Sequence, residues 1–183
     1  MAYVALFGLI LYVPYLMQIV LKKGAAVSGM VMLPMSLSMV LGGVIGGALV
    51  SKLQRYRLPG TVNFMVAITG MVILLVFGNQ ISMFMLIVGI LLTGLGIGMN
   101  FPVINIAPQA VFPQSQLGIV VSTLEFFQIM GGVISTSIAG NLIHTSLSGV
   151  IIFCIAALIL GLITMLMLND KVIREGFAFQ TRA

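Results

Sequence analysis

Glu125 is the acidic residue of this 183-residue chain that stands inside an apolar run; Asp170 and Glu175, which complete the set of three, belong to the C-terminal tail. It lies about nine residues into the run Gln116–Ile143, so on a helical rise of about 1.5 Å per residue it sits roughly 14 Å along, near the middle of a bilayer. An ionised carboxylate in hydrocarbon is expensive, so Glu125 is expected to face the protein interior or a watery cavity, where a carboxyl that changes charge can carry a proton. Ser122 and Gln128 lie three residues to either side on the same helical face and can hydrogen-bond both of its forms. No Lys or Arg stands inside an apolar run as its partner. The competing reading is a carboxyl that stays protonated and bonds a neighbouring helix.

Other polar groups within the apolar runs are neutral: Gln18, Asn63, Asn100, Asn105, Gln109 and Asn141. Asn100, Asn105 and Gln109 surround Pro102 and are expected to line a cavity where the chain bends. The 14 Met residues supply flexible, polarizable side chains suited to a pocket that accepts several apolar shapes. His144 has no companion Cys, His or acid at ligand spacing, so it reads as an interfacial residue and no metal site is expected. Cys154 is the only cysteine, which rules out an internal disulfide and makes it a small packing residue. Gly-rich segments sit inside apolar runs instead of following a strand, so no phosphate-cradling loop is expected. With neither a hydrolytic nor a redox constellation, the chain is read as having no enzymatic activity and no cofactor.

These residues are held by apolar segments. The chain is 61% hydrophobic and 6% charged, with a mean hydropathy of +1.26, far too apolar for a soluble domain. Six runs are each long enough to cross a bilayer: Met1–Leu21, Gly29–Val50, Thr61–Phe77, Ile81–Ile106, Gln116–Ile143 and Gly149–Leu168. Alternating barrel patterning is missing, and a spanning segment must satisfy its own backbone, so the expected class is an all-α membrane protein. Residues 1–168 form a six-helix transmembrane bundle and residues 169–183 a short cytoplasmic tail. Runs four and five exceed the minimum length, which implies tilt, kinks or extension beyond the lipid.

Basic residues give the orientation. Lys52, Arg55 and Arg57 fall on one side together with Lys171, Arg174 and Arg182, and only Lys22 and Lys23 fall opposite. The positive-inside rule then places both termini in the cytoplasm, in the inner or plasma membrane of the cell. The net charge of +5 is read as topology and contact with anionic lipid, since no basic patch interleaved with aromatics suggests nucleic acid. Trp is absent, so an interfacial belt relies on Tyr. The first run begins at Met1 with no charged segment before it, as in a chain cut from something longer. A signal peptide would need a basic leader and a small-residue cleavage site, and neither is clear in Met1–Gly24.

The two halves rhyme. Leu41-Gly42-Gly43-Val44-Ile45 is matched by Met130-Gly131-Gly132-Val133-Ile134, and Pro14 by Pro102. The runs then pair first with fourth, second with fifth and third with sixth, as two inverted three-helix repeats require. Ser38, Gly42 and Gly46, and likewise Gly132, Thr136 and Gly140, form small-residue stripes that let helices pack closely. Pro14, Pro34 and Pro102 each remove a backbone donor inside a run, so kinks are expected there.

The segment Gly47-Ala-Leu-Val-Ser-Lys-Leu-Gln-Arg-Tyr56 resembles the cytoplasmic signature of the major facilitator superfamily, Gly-x-Leu-x-Asp-Arg-x-Gly-Arg-Arg. Gly47, Leu49, Lys52 and Arg55 fit; Ser51 replaces the acid, Gln54 the glycine and Tyr56 a base. Tyr12-Val-Pro-Tyr-Leu-Met-Gln18, Gly94-Leu-Gly-Ile-Gly-Met-Asn-Phe-Pro102 and Phe126-Phe-Gln-Ile-Met-Gly-Gly132 resemble drug:proton antiporters of the EmrB/QacA type, with Gln128 where that family commonly shows Arg. The resemblance covers nearly the whole chain, as the C-terminal six-helix half of a transporter of twelve or fourteen helices. It implies alternating access around a site shared by two six-helix bundles, with proton-coupled efflux of lipophilic or cationic small molecules. On that reading Glu125 is the proton site, Gln18, Asn100, Asn105, Ser122 and Gln128 are cavity candidates, and Gly47, Lys52 and Arg55 belong to a cytoplasmic gate. Gly42, Gly46, Gly131, Gly132, Pro14 and Pro102 serve packing and bending. The partner is the missing N-terminal half or a second copy. Rival readings are a self-dimerising small transporter and a non-transporting membrane protein that binds a partner.

Overall fold

Apolar length decides the elements. The computed structural model describes residues 1–53, 57–76 and 83–167, and within them the chain is helical with short connections. The helices are α1 (Ala2–Tyr15), continued by a π-helical turn (Leu16–Val20), α2 (Ala25–Leu53), α3 (Arg57–Val76), α4 (Met83–Val111), α5 (Gln114–Thr145) and α6 (Leu147–Met167). Six of these spans are long and apolar enough to cross a membrane. Their order matches the six apolar runs, and α4 and α5, with 29 and 32 residues, exceed the length that a perpendicular crossing needs.

Local chemistry sets the ends. In α1, Pro14 removes an N–H, and the helix then widens to the π pattern over Leu16–Val20, where Leu21 N–H donates to the Leu16 carbonyl at 3.0 Å. Lys22 closes the turn in the left-handed region with φ of 49°. Pro113 stands at the cap of α5 in extended conformation, so the α4–α5 connection is as short as a proline allows. Inside α2 and α4 the helix is continuous through Pro34 and Pro102.

Packing follows the twofold pattern of a repeat. α4 lies along α2 and α3, α1 lies along α5 and α6, and α3 meets α6. Exchanging the first three helices with the last three maps α2–α4 onto α1–α5, α3–α4 onto α1–α6, and α3–α6 onto itself. The register agrees to within one residue. In α2, Gly42 faces the Leu95 backbone of α4; in α5, a side chain at Gly132 would fall 2.7 Å from the Phe7 ring of α1. Gly131 makes only ordinary contact with Val4, so the close approach in α5 is one residue beyond the position that the matching letters select.

The core gathers on α1, α3, α4 and α6, around Leu9, Val13, Met71, Leu74, Leu86, Ile90, Ile97 and Leu158. α4 is the most covered span and α5 the least. α2 exposes Met30, Leu33, Leu37, Val40, Leu41 and Val44, while α5 exposes Ile119, Phe126, Phe127, Ile129 and Val133. Water would not tolerate such continuous apolar faces; lipid or a further protein surface covers them.

Candidate functional site

Glu125 lies about a third of the way along α5 and is exposed on the surface of the six helices. The expectation of an interior carboxylate is therefore not met within this chain. The reason is the sparse cover of α5, which has neighbours chiefly in α1 and α6 and leaves the rest of its circumference open. Ser122, also exposed, donates its hydroxyl to the Ile119 carbonyl at 3.0 Å, so its proton is committed to its own helix and not to Glu125. Gln128 is half-buried one turn further on.

The neighbour that sequence reasoning missed is Tyr3. It lies on the first turn of α1 within coulombic range of Glu125. Its position is a consequence of the α1–α5 contact. Because Gly132 has no side chain, the Phe7 ring fits against α5, and Ser135 Oγ donates to the Val4 carbonyl across the same seam at 2.6 Å. Tyr3, one turn before Phe7, stacks with it at 6.5 Å between ring centroids and meets Phe101 of α4 edge-on at 5.6 Å. Tyr3 thus links an aromatic row from α1 and α4 to the carboxylate of α5. A signal was available in the sequence: Tyr3 and Phe7 have the four-residue spacing of one helix face.

The remaining predicted site residues are dispersed. Gln18 is exposed in the π-helical turn. Asn105 is half-buried and donates to the Phe101 carbonyl of its own helix at 2.9 Å. Asn100 is buried on another side of α4, where it lines a narrow gap with Asn63, Ala2, Phe64, Ala67, Gly96, Ile97 and Leu158. Asn100 and Asn105 therefore do not share a cavity around Pro102. Five residues on a helix turn the side chain through about 140°, which points the two away from each other. Gly47 is half-buried within α2, at ordinary contact distance from Pro102, and Lys52 is exposed in the last turn of the same helix. Arg55 and the tail 168–183 lie outside the described residues, as do the side chains of Gln109 and His144. Among the described residues no three His, Cys, Asp or Glu side chains come together to hold a metal ion.

Chemically, a carboxylate within electrostatic reach of a tyrosine that packs against further rings suits an organic cation. The acid supplies charge, and the rings supply apolar area together with quadrupole attraction of about 0.5–2 kcal/mol. The same carboxyl, once protonated, loses that attraction.

The chain is similar to known transporters. It is 31% identical over 142 residues to the multidrug transporter protein MdtP of Bacillus subtilis (strain 168), covering 77% of this chain and 26% of the relative. It is 29% identical over 144 residues to the efflux pump aflT of Aspergillus parasiticus, covering 79% of this chain and 28% of the pump. It is 32% identical over 137 residues to the MFS-type transporter gkaD of Penicillium citrinum, covering 71% of this chain and 23% of that protein. The chain spans about a quarter of the length of these relatives. No protein-family model matches it, and no solved structure gives a significant match. An all-α membrane bundle similar to efflux transporters is the common ground of structure and sequence.

Proposed function

We propose that this chain is the C-terminal six-helix half of a proton-coupled efflux transporter of the major facilitator superfamily, moving lipophilic or cationic small molecules by alternating access. The observation that carries the reading is the open face of α5, where Glu125 is exposed within electrostatic reach of Tyr3 and α5 is the least covered span among the described residues. A midplane acid on an open face suits a cavity completed by a second bundle, supplied by an N-terminal half or by another copy of this chain. The similarity to multidrug and efflux transporters about three times as long supports the same reading.

In this scheme Glu125 exchanges a proton for the cationic substrate. Gln128, Ser122 and Tyr3 line the cavity beside it, Asn105 and Gln18 lie further along, and Lys52, with Arg55, belongs to the cytoplasmic gate that begins near Gly47. Both termini face the cytoplasm, and the bundle sits in the cell membrane.

The test is reconstitution. The chain is placed in proteoliposomes alone and together with an N-terminal six-helix half from a relative, and efflux of ethidium is followed under an imposed pH gradient. Gradient-driven efflux with the added half supports the proposal, and efflux by the chain alone favours the self-dimer. No efflux from either preparation, with correct insertion verified, refutes the transporter reading.

A further inference from the structure

Among the described residues, two buried side chains stand apart from the hydroxyls that the bundle pairs internally. Ser38, Thr93 and Ser135 are all buried, and each hydroxyl donates to a backbone carbonyl at 2.6–2.8 Å. Asn63 of α3 and Asn100 of α4 are equally buried, 1% and 4% exposed, yet Asn63 Oδ1, Asn63 Nδ2 and Asn100 Oδ1 have no hydrogen-bond partner. Reversing the Asn63 amide exchanges donor for acceptor and leaves both still unpartnered. Each such group costs about 1–3 kcal/mol away from water, and hydrocarbon around the bundle offers no relief.

The two amides share one gap. Its other walls are Ala2 of α1, Phe64 and Ala67 of α3, Gly96 and Ile97 of α4, and Leu158 of α6, whose side chains are apolar. As packed, the gap is narrower than a water molecule. The chemistry of the orphaned atoms nevertheless describes one ligand. Two acceptors match the two hydrogens of a water, and one N–H donor matches its lone pair. A metal cation does not suit the set, because the amide N–H₂ would face it.

Which wall gives way follows from the glycines. A side chain at Gly96 would fall 2.5 Å from the Ala67 nitrogen and 2.7 Å from the Asn63 carbonyl oxygen, so α3 and α4 touch backbone to backbone at this level. The two asparagines therefore ride on one rigid pair. Ala2 and Leu158, the lining residues from α1 and α6, are not part of that pair.

We propose that Asn63 and Asn100 form a single-water site, filled when α1 and α6 draw back from the α3–α4 pair and squeezed shut in the conformation described here. The site works as a small latch. In the closed arrangement the unpartnered amides raise the energy of the packed seam, and admission of one water relieves it. The inference stands apart from the transport reading, since it needs only the bundle in a membrane.

Two measurements on the full chain in membranes test it. Asn63→Cys and Asn100→Cys, each with Cys154→Ala, are exposed to N-ethylmaleimide, which reacts with a thiolate formed in water. Reaction at least tenfold faster than that of Cys154 in the unmodified chain is expected, since Cys154 is 1% exposed and lies in the apolar core. Reaction no faster than at Cys154 overturns the proposal. The double substitution Asn63→Leu with Asn100→Leu is expected to raise the midpoint of thermal unfolding in detergent, because it removes the orphaned groups at similar volume. A lowered midpoint would mean that the amides are bonded at rest, and would overturn it independently.

Discussion

The carbonyl oxygen of Leu95 in α4 fills the space that a side chain at Gly42 in α2 would need. One turn along, a side chain at Gly46 would fall 2.5 Å from the Met99 carbonyl oxygen and 2.8 Å from its Cα. The glycines of α4 reciprocate, since Gly94 faces the Met35 carbonyl and Gly98 the backbone of Met39. Backbone against backbone has no flexible end that can move aside. Gly42→Val and Gly46→Val are each expected to destabilise by at least the 1–3 kcal/mol typical of overpacking, seen as loss of monodisperse protein and a lowered unfolding midpoint. Gly29→Ala and Gly118→Ala face open space and are expected to change stability by less than about 0.5 kcal/mol in the same assay.

The α1–α5 seam is tied differently. Ser135 is buried in α5 and its hydroxyl crosses to the Val4 carbonyl of α1 at 2.6 Å. Such bonds between membrane helices contribute about 0.6 kcal/mol on average and about 1.7 at most. Ser135→Ala is therefore expected to lower the unfolding midpoint slightly, without loss of insertion. A loss beyond about 2 kcal/mol would show that the seam depends on this bond more than on the fit of Phe7 against Gly132.

Much of this arrangement is legible in the letters, and the limit is instructive. Run length and the lack of charge give six helices, because lipid leaves the backbone no other solution. The Gly42-Gly43 and Gly131-Gly132 pairs mark where helices approach, and the helix pairing agrees with a repeat. Letters grouped Asn100 with Asn105 because both flank Pro102, whereas helical pitch separates them and brings Asn100 to Asn63, 37 positions away. Tyr3 was missed for a related reason. Its link to Glu125 depends on how closely α1 lies on α5, and that distance is set by Gly132 and Ser135, far along the chain.

On the proposed transport reading, the ring contacts of Tyr3 predict a division of labour in substrate binding. Phe101 meets Tyr3 edge-on, so removing it takes away both an apolar face and the support of its neighbour. If a cation sits over these rings, Phe101→Ala loses about 0.5–2 kcal/mol, equivalent to about 2–30-fold weaker binding at 1.4 kcal/mol per tenfold. Tyr3→Phe keeps the ring and is expected to stay within about twofold. Equilibrium binding of tetraphenylphosphonium to the reconstituted transporter separates the two, and equal losses in both variants would place the phenol oxygen, not the rings, at the contact.

Glu125 itself gives the sharpest expectation. Because it is exposed on α5, with no hydrogen bond or ion pair holding it among the described residues, the fold does not depend on its charge. Glu125→Gln keeps the shape and hydrogen-bonding capacity but cannot change protonation state. Insertion and unfolding midpoint are therefore expected to match the unmodified chain, while ethidium efflux driven by a pH gradient falls more than tenfold. Downhill movement of a neutral lipophilic substrate is expected to continue, since it asks nothing of the proton. Glu125→Asp, one methylene shorter, should retain part of the coupled flux. Substrate-driven proton flux that persists unchanged in Glu125→Gln would remove this carboxyl from the mechanism, because no other acid stands within the spans.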